Sequence, residues 1–120
     1  MHDLPENPLA PCARATNCIR TTIKFAAPAE DVGRAVDAAL QTPYTIETQA
    51  VGDFGRSAVF RAFVFKDDVR IQWQAVSSSE TVVYIRSASR VGRSDLGVNR
   101  KRVRGLIQRM EKLLSLKAVG

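Results

Sequence analysis

From Tyr44 to Ser89 the apolar residues recur at every second position, and clusters of turn-forming residues interrupt the run. The clearest stretch has Val69, Ile71, Trp73 and Ala75 alternating with Arg70, Gln72 and Gln74, the pattern of a strand with one buried face. Tyr44 to Val51 reads as a strand before it, followed by turn chemistry in Gly52-Asp53-Phe54-Gly55. Ser57 to Phe65 is apolar on both faces apart from Arg61, which predicts a central strand. Lys66-Asp67-Asp68 then reads as a tight reversal, and Ser77-Ser78-Ser79 turns the chain into Thr81 to Ser89. Connections this short join antiparallel neighbours.

On either side of this block the period is helical. Thr21 to Phe25 is a short strand, and Pro28 suits the first turn of a helix, where its missing N–H costs nothing. Val32, Ala35, Val36, Ala39 and Leu40 give an amphipathic helix over about 28–41, with a small-residue face able to lie close to a sheet. Val103, Leu106, Ile107, Met110, Leu113 and Leu114 form the stripe of a last helix that ends near Lys117 and Gly120. The order β-α-β-β-β-β-α predicts an α+β fold, a four- to five-stranded antiparallel sheet with two helices on one face. Residues 1–20 read as an irregular N-terminal arm and residues 21–120 as a single domain, without internal repeat.

The charge is concentrated. Of 18 basic and 12 acidic residues, which give a formal net charge of +6, the segment 86–104 holds seven basic and one acidic. The rest of the chain balances. Arg93, Arg100, Lys101, Arg102 and Arg104 form a basic patch, the last three mainly on the outer side of the final helix. A solvated helix face explains them; nucleic-acid contact is the rival. The aromatics Phe60, Phe63, Phe65 and Trp73 sit at core-like strand positions rather than beside these arginines, and no helix-turn-helix or Gly-rich RNA motif accompanies them.

Other function classes lack their parts. The one histidine, His2, lies in the arm and is poorly placed as a general base, and Asp67 and Asp68 are neighbours in a reversal. No P-loop or metal-ligand spacing is present, so the residues imply neither an enzyme nor a cofactor or metal. No apolar run approaches the ~20 residues needed to span a bilayer. Cys12 and Cys18 fit a pair of thiols or a short-loop disulfide. Nothing marks an exported chain, which favours thiols and cytoplasmic residence.

The informative segment is the junction between the last strand and the last helix. At 100° per residue Asn99 lies about 40° from Val103 and 20° from Leu106, inside the apolar stripe. Its amide therefore faces the sheet, tying the helix start to the loop or pointing into a small pocket. Asp95 either caps the helix or pairs with Arg90 or Arg93. Arg86 and Arg61 fall on the open face if Val83 and Ile85 meet the helices, which turns Ser87 and Ser89 towards Asn99. Arg86, Ser87, Arg90, Ser94, Asp95 and Asn99 form the candidate ligand-binding edge.

The stretch Arg86-Ser87-Ala88-Ser89-Arg90-Val91-Gly92-Arg93-Ser94-Asp95-Leu96-Gly97-Val98-Asn99-Arg100 resembles the signature of a bacterial and plant family, domain of unknown function 1499. Phe65-Lys66-Asp67-Asp68-Val69 is similar to that family's aromatic-x-Asp-Asp turn. Pro11-Cys12 and Asn17-Cys18 are similar to its paired cysteines, with Ala13 and Thr16 where the pattern usually has proline. The resemblance supplies no activity. It implies relatives that are anchored or exported through an added N-terminal segment, and in them a disulfide between the cysteines. Separately, Phe25-Ala26-Ala27-Pro28-Ala29-Glu30-Asp31-Val32 is similar to the strand-to-helix transition of START-like ligand-binding domains. The expectation is a non-catalytic module that binds a small anionic ligand or a protein partner, with non-specific nucleic-acid binding as the alternative.

Overall fold

A computed structural model describes residues 4–120. The chain runs β1 (Cys18–Phe25), α1 (Ala29–Ala39), β2 (Thr45–Ala50), β3 (Gly55–Ala62), β4 (Phe65–Ser77), β5 (Glu80–Ser89) and α2 (Val98–Leu114). Among the described residues five strands form one antiparallel sheet in the order β1-β5-β4-β3-β2, with both helices on one face. The α+β order of elements is the one the periodicity predicts.

The helices cover the face where the strand periods coincide. Phe25, Phe60, Val69, Ile71, Trp73, Val83 and Ile85 point there and bury against Val32, Val36 and Ala39 of α1 and Val103, Leu106 and Met110 of α2. Gly33 lets α1 approach closely, since a Cβ at that position would come within 3.0 Å of the Trp73 ring. Leu113, expected in the buried stripe, is largely exposed; Leu116 and Ala118 beyond the helix pack against the core instead. There the chain turns back on β1, and Lys24 and Val119 exchange backbone hydrogen bonds of 2.6 and 2.8 Å.

Two strand expectations need correction. The reversal expected at Lys66-Asp67-Asp68 lies earlier, at Phe63-Val64, and all three polar residues belong to β4. The central strand is accordingly β4, with β3 second from the edge. The cause is the phase of the buried set. Asp67 shares a face with Val69, Ile71 and Trp73, and its register partner is Phe60, so the strand cannot end before it. A two-residue hairpin turn asks for positive φ, normally supplied by Gly or Asn. Here Phe63 takes φ 57°, at a cost of about 1–2 kcal/mol for a residue with a Cβ.

The other face of the sheet is partly covered by the arm. Leu9 packs on Val82 and Tyr84, while Arg20 donates to the Leu9 carbonyl at 2.9 Å and Arg86 to the Ala10 carbonyl at 2.8 Å. β1 begins at Cys18, three residues before the strand read from the sequence. Cys12 and Cys18 are joined in a disulfide with a Cα–Cα distance of 5.6 Å, which corrects the expectation of two thiols. The backbone of β1 holds Cys18 in place, and the arm folding over the sheet brings Cys12 to it. His2 lies outside the described residues. Among the described residues no helix is long and apolar enough to cross a membrane.

Candidate functional site

The junction of β5 and α2 is built around Asn99, whose amide is buried beneath the first turn of α2. Its Oδ1 accepts from the Ser87 hydroxyl at 2.5 Å and from Arg102 Nη1 at 2.9 Å. Its Nδ2 lies 2.6 Å from Asp95 Oδ2, 2.9 Å from Ser89 Oγ and 3.2 Å from the Asn17 carbonyl. Both ends of the amide are thus satisfied within the protein, which ties loop, sheet and helix together.

Asp95 caps rather than forming an ion pair. Oδ2 accepts from the Asn99 backbone N–H at 3.0 Å and Oδ1 from that of Gly97 at 2.8 Å. Burial by itself would raise its pKa; the Asn99 side-chain amide and these backbone donors outweigh that and hold it below the ordinary value. Arg90, one suggested partner, instead makes a paired contact with Asp68 on the opposite face of the sheet, with Nη2–Oδ1 at 2.9 Å.

The residues of the expected edge therefore separate. Ser87, Asp95 and Asn99 come together; Ser94 lies in the loop, where its hydroxyl accepts from the Leu96 N–H. Arg86 and Arg90 stand on the other face. The basic patch divides too. Arg100, Lys101 and Arg104 are exposed, whereas Arg102, expected outside, turns inward. Its Nη1 lies 2.7 Å from Asp67 Oδ2, with side-chain exposures of 8% and 2%, and its guanidinium carbon sits 5.0 Å from the Phe60 ring centroid. This buried pair was missed in the sequence, although both signals were there. Asp67 alternates in phase with Val69 and Ile71, and Arg102 precedes Leu106 by four residues, about 40° away on the helix.

Beside this pair a groove of about 790 Å³ opens between α2 and the end of β3. Tyr44, Phe60, Ala62, Phe63 and Val98 supply its apolar wall. Its polar lining residues are Thr42, Arg61, Lys101, Arg102 and Arg109, with Arg61 at the margin because it alternates with the inward-facing Phe60, and among the described residues no acidic one lines it. Arg109 donates through Nε and Nη2 to the Ala39 carbonyl, and its remaining Nη1 turns towards Gly105. Burial lowers the Arg109 pKa from its ordinary value. A Cβ at Gly105 would meet only that guanidinium, at 3.5 Å, so the glycine leaves the groove open. Glycine within a helix costs roughly 1 kcal/mol relative to alanine.

A smaller cavity of about 150 Å³ lies on the other side of Ala62, Phe63 and Val98, among Phe65, Asp67, Val91 and Leu96. A depression of about 220 Å³ over the loop is lined by Thr16, Ser94, Asp95, Asn99 and Arg100. On the opposite face a groove of about 310 Å³ contains Arg70 beside Glu47 and Asp68, a mixed-charge lining. The Arg70 Nε there is buried without a hydrogen-bond partner among the described residues.

This small α+β domain, with its signature at the β5–α2 junction, has a clear family assignment. Residues 8–110 match the family described as protein of unknown function DUF1499, and the chain belongs to that family. No curated protein matches it. Among solved structures it is similar to a START superfamily protein from Mycobacterium smegmatis, at 12% identity over 82% of this chain and 94% of that one, with a TM-score of 0.48. The di-domain aromatase/cyclase StfQ of the steffimycin biosynthetic pathway gives 13% identity and a TM-score of 0.45 over 78% of this chain; the match spans 44% of that longer protein. A Thermus thermophilus protein gives 14% identity and a TM-score of 0.41, covering 82% of this chain and 97% of that one. At these identities and scores the likeness is a loose one in chain trace.

Proposed function

We propose that this protein is a non-catalytic binding module whose ligand is a small amphipathic anion, held in the groove between α2 and the end of β3. The observation that carries the reading is the lining: aromatic and aliphatic walls with cationic residues at four positions and, among the described residues, no acidic one. A volume of about 790 Å³ is in the range of small-molecule sites. Arg102 is already neutralised by Asp67, which leaves Lys101 and the free edge of Arg109 for the ligand's charge. Ser87, Asp95 and Asn99 act as positioning residues that fix the wall at Val98 and Arg102.

The spread of the arginines counts against the nucleic-acid alternative. Phosphate tracking needs a continuous basic face. Here Arg86 and Arg90 lie across the sheet from Arg100, Lys101 and Arg104, and Arg102 is inside. The disulfide favours an oxidising compartment over the cytoplasm, where such bonds are rare.

The test is an NMR titration of labelled protein with decanoate, with naphthyl phosphate, and with decanol as the neutral comparator. The anions are expected to shift the amides of Ala62, Phe63, Lys101 and Gly105, and decanol to shift them less. Shifts confined to the opposite face, or none with any probe, would overturn the groove as the site.

A further inference from the structure

Two loops end in bulky apolar residues held in the left-handed region. Phe63, with φ 57°, occupies the β3–β4 turn and is 82% exposed; Leu96, with φ 55°, lies in the β5–α2 loop and is 88% exposed. Val64, next to Phe63, is 87% exposed, and Val91 is 58% exposed. The two tips are neighbours in space, since Phe63, Val91 and Leu96 line the same small cavity. Each tip combines a backbone conformation that glycine would adopt more easily with apolar surface left in water. Neither feature helps the isolated fold.

Cations flank the tips, and the two carboxylates that line the same cavity, Asp67 and Asp95, are engaged by Arg102 and by Gly97 and Asn99. Arg61 and Lys66 flank the turn as opposed residues of β3 and β4, Arg93 lies between Val91 and Leu96 in the loop, and Lys101 faces Phe63 across the groove. An apolar tip flanked by exposed cations complements one surface in particular, an anionic bilayer, whose headgroups attract the cations while its acyl region takes the tips.

We propose that Phe63, Val64 and Leu96 form a docking site for an anionic lipid surface, with Arg61, Lys66, Arg93 and Lys101 meeting the headgroups. The docking site shares Phe63, Arg61 and Lys101 with the rim of the groove but does not need the groove's ligand, which decanoate shifts of the parent in lipid-free solution test separately.

The experiment is co-sedimentation of the full chain with phosphatidylcholine vesicles and with vesicles of phosphatidylcholine and phosphatidylglycerol in equal parts. Binding is expected to the anionic vesicles alone and to weaken as salt is added. The double variant Phe63→Gly, Leu96→Gly suits both left-handed positions, so its melting temperature is expected to be no lower than that of the parent. Its vesicle affinity is expected to fall by about tenfold or more, from the apolar area withdrawn from the bilayer. No binding to the anionic vesicles, equal binding to neutral ones, or full binding by the double variant would overturn the proposal. So would a lipid-free dimer that the double variant abolishes, which would assign the tips to a second copy of the chain.

Discussion

Replacing Asp67 with alanine is expected to destabilise the protein by about 3–5 kcal/mol, a drop in melting temperature on the order of 10–20 °C. The carboxylate is buried and its partner Arg102 nearly so, so the substitution leaves a largely buried guanidinium without its counter-charge, with only the neutral acceptors Asn99 and Ser87. Arg102→Ala is expected to cost a similar amount, because it strands Asp67 and also removes the hydrogen bond to Asn99 and the contact with the Phe60 ring. An exposed ion pair would contribute less than about 1 kcal/mol. Replacing both residues with leucine is expected to give a protein more stable than either single variant, since no charge is then left alone. Thermal and denaturant unfolding of the three variants gives the answer. Single substitutions costing under about 1 kcal/mol would mean that solvent reaches the pair.

The second large effect is expected from Asn99→Leu. The new side chain suits an apolar stripe, yet it removes both acceptor and donor from a buried network. Ser87 loses its acceptor, Arg102 loses one of its contacts, and Asp95 loses its side-chain donor. Buried polar groups left unpaired cost about 1–3 kcal/mol each, so a total loss of about 2–4 kcal/mol is expected at neutral pH. The loss also depends on pH, with a sign set by Asp95. Its folded-state pKa is depressed, so the charged form contributes stability above the unfolded value of about 3.9. That contribution disappears as the pH falls through the lower folded value. Since Asn99 supplies part of the depression, the difference between parent and variant should shrink in acid. A difference independent of pH, measured by urea unfolding at neutral and acidic pH, would remove Asp95 from the account.

The fold was largely legible because its elements announce themselves through period. α1 and α2 repeat as helices, β4 and β5 alternate, and the tight connections require antiparallel neighbours. What was misread depends on partners far away in sequence. Lys66-Asp67-Asp68 has the composition of a turn; β4 extends through Asp67 because that residue is in phase with the buried face, and Arg102 supplies the counter-charge it needs there. Phe63-Val64 has the composition of a strand, and it forms the turn because the buried register leaves the reversal nowhere else to go. The inward direction of Asn99 could be read from helix geometry. Its neighbours Ser87 and Ser89 follow from strand alternation. The same alternation puts Arg86 on the open face, where it is found, whereas Arg90 lies past the end of β5 and its pairing with Asp68 depends on where β4 begins.

The groove was not legible. It is a space between α2 and β3, and a chain reveals such a space only through what it omits. Gly105 is the trace it leaves in the sequence, a glycine inside an amphipathic helix where alanine would hold the helix better.

That residue gives the most direct test. Gly105→Leu places a side chain beside Arg109 in the open groove, in a helix that prefers it by about 0.5–1 kcal/mol. A variant that melts higher than the parent and no longer binds decanoate is the predicted result. One that binds decanoate as tightly as the parent would place the ligand elsewhere.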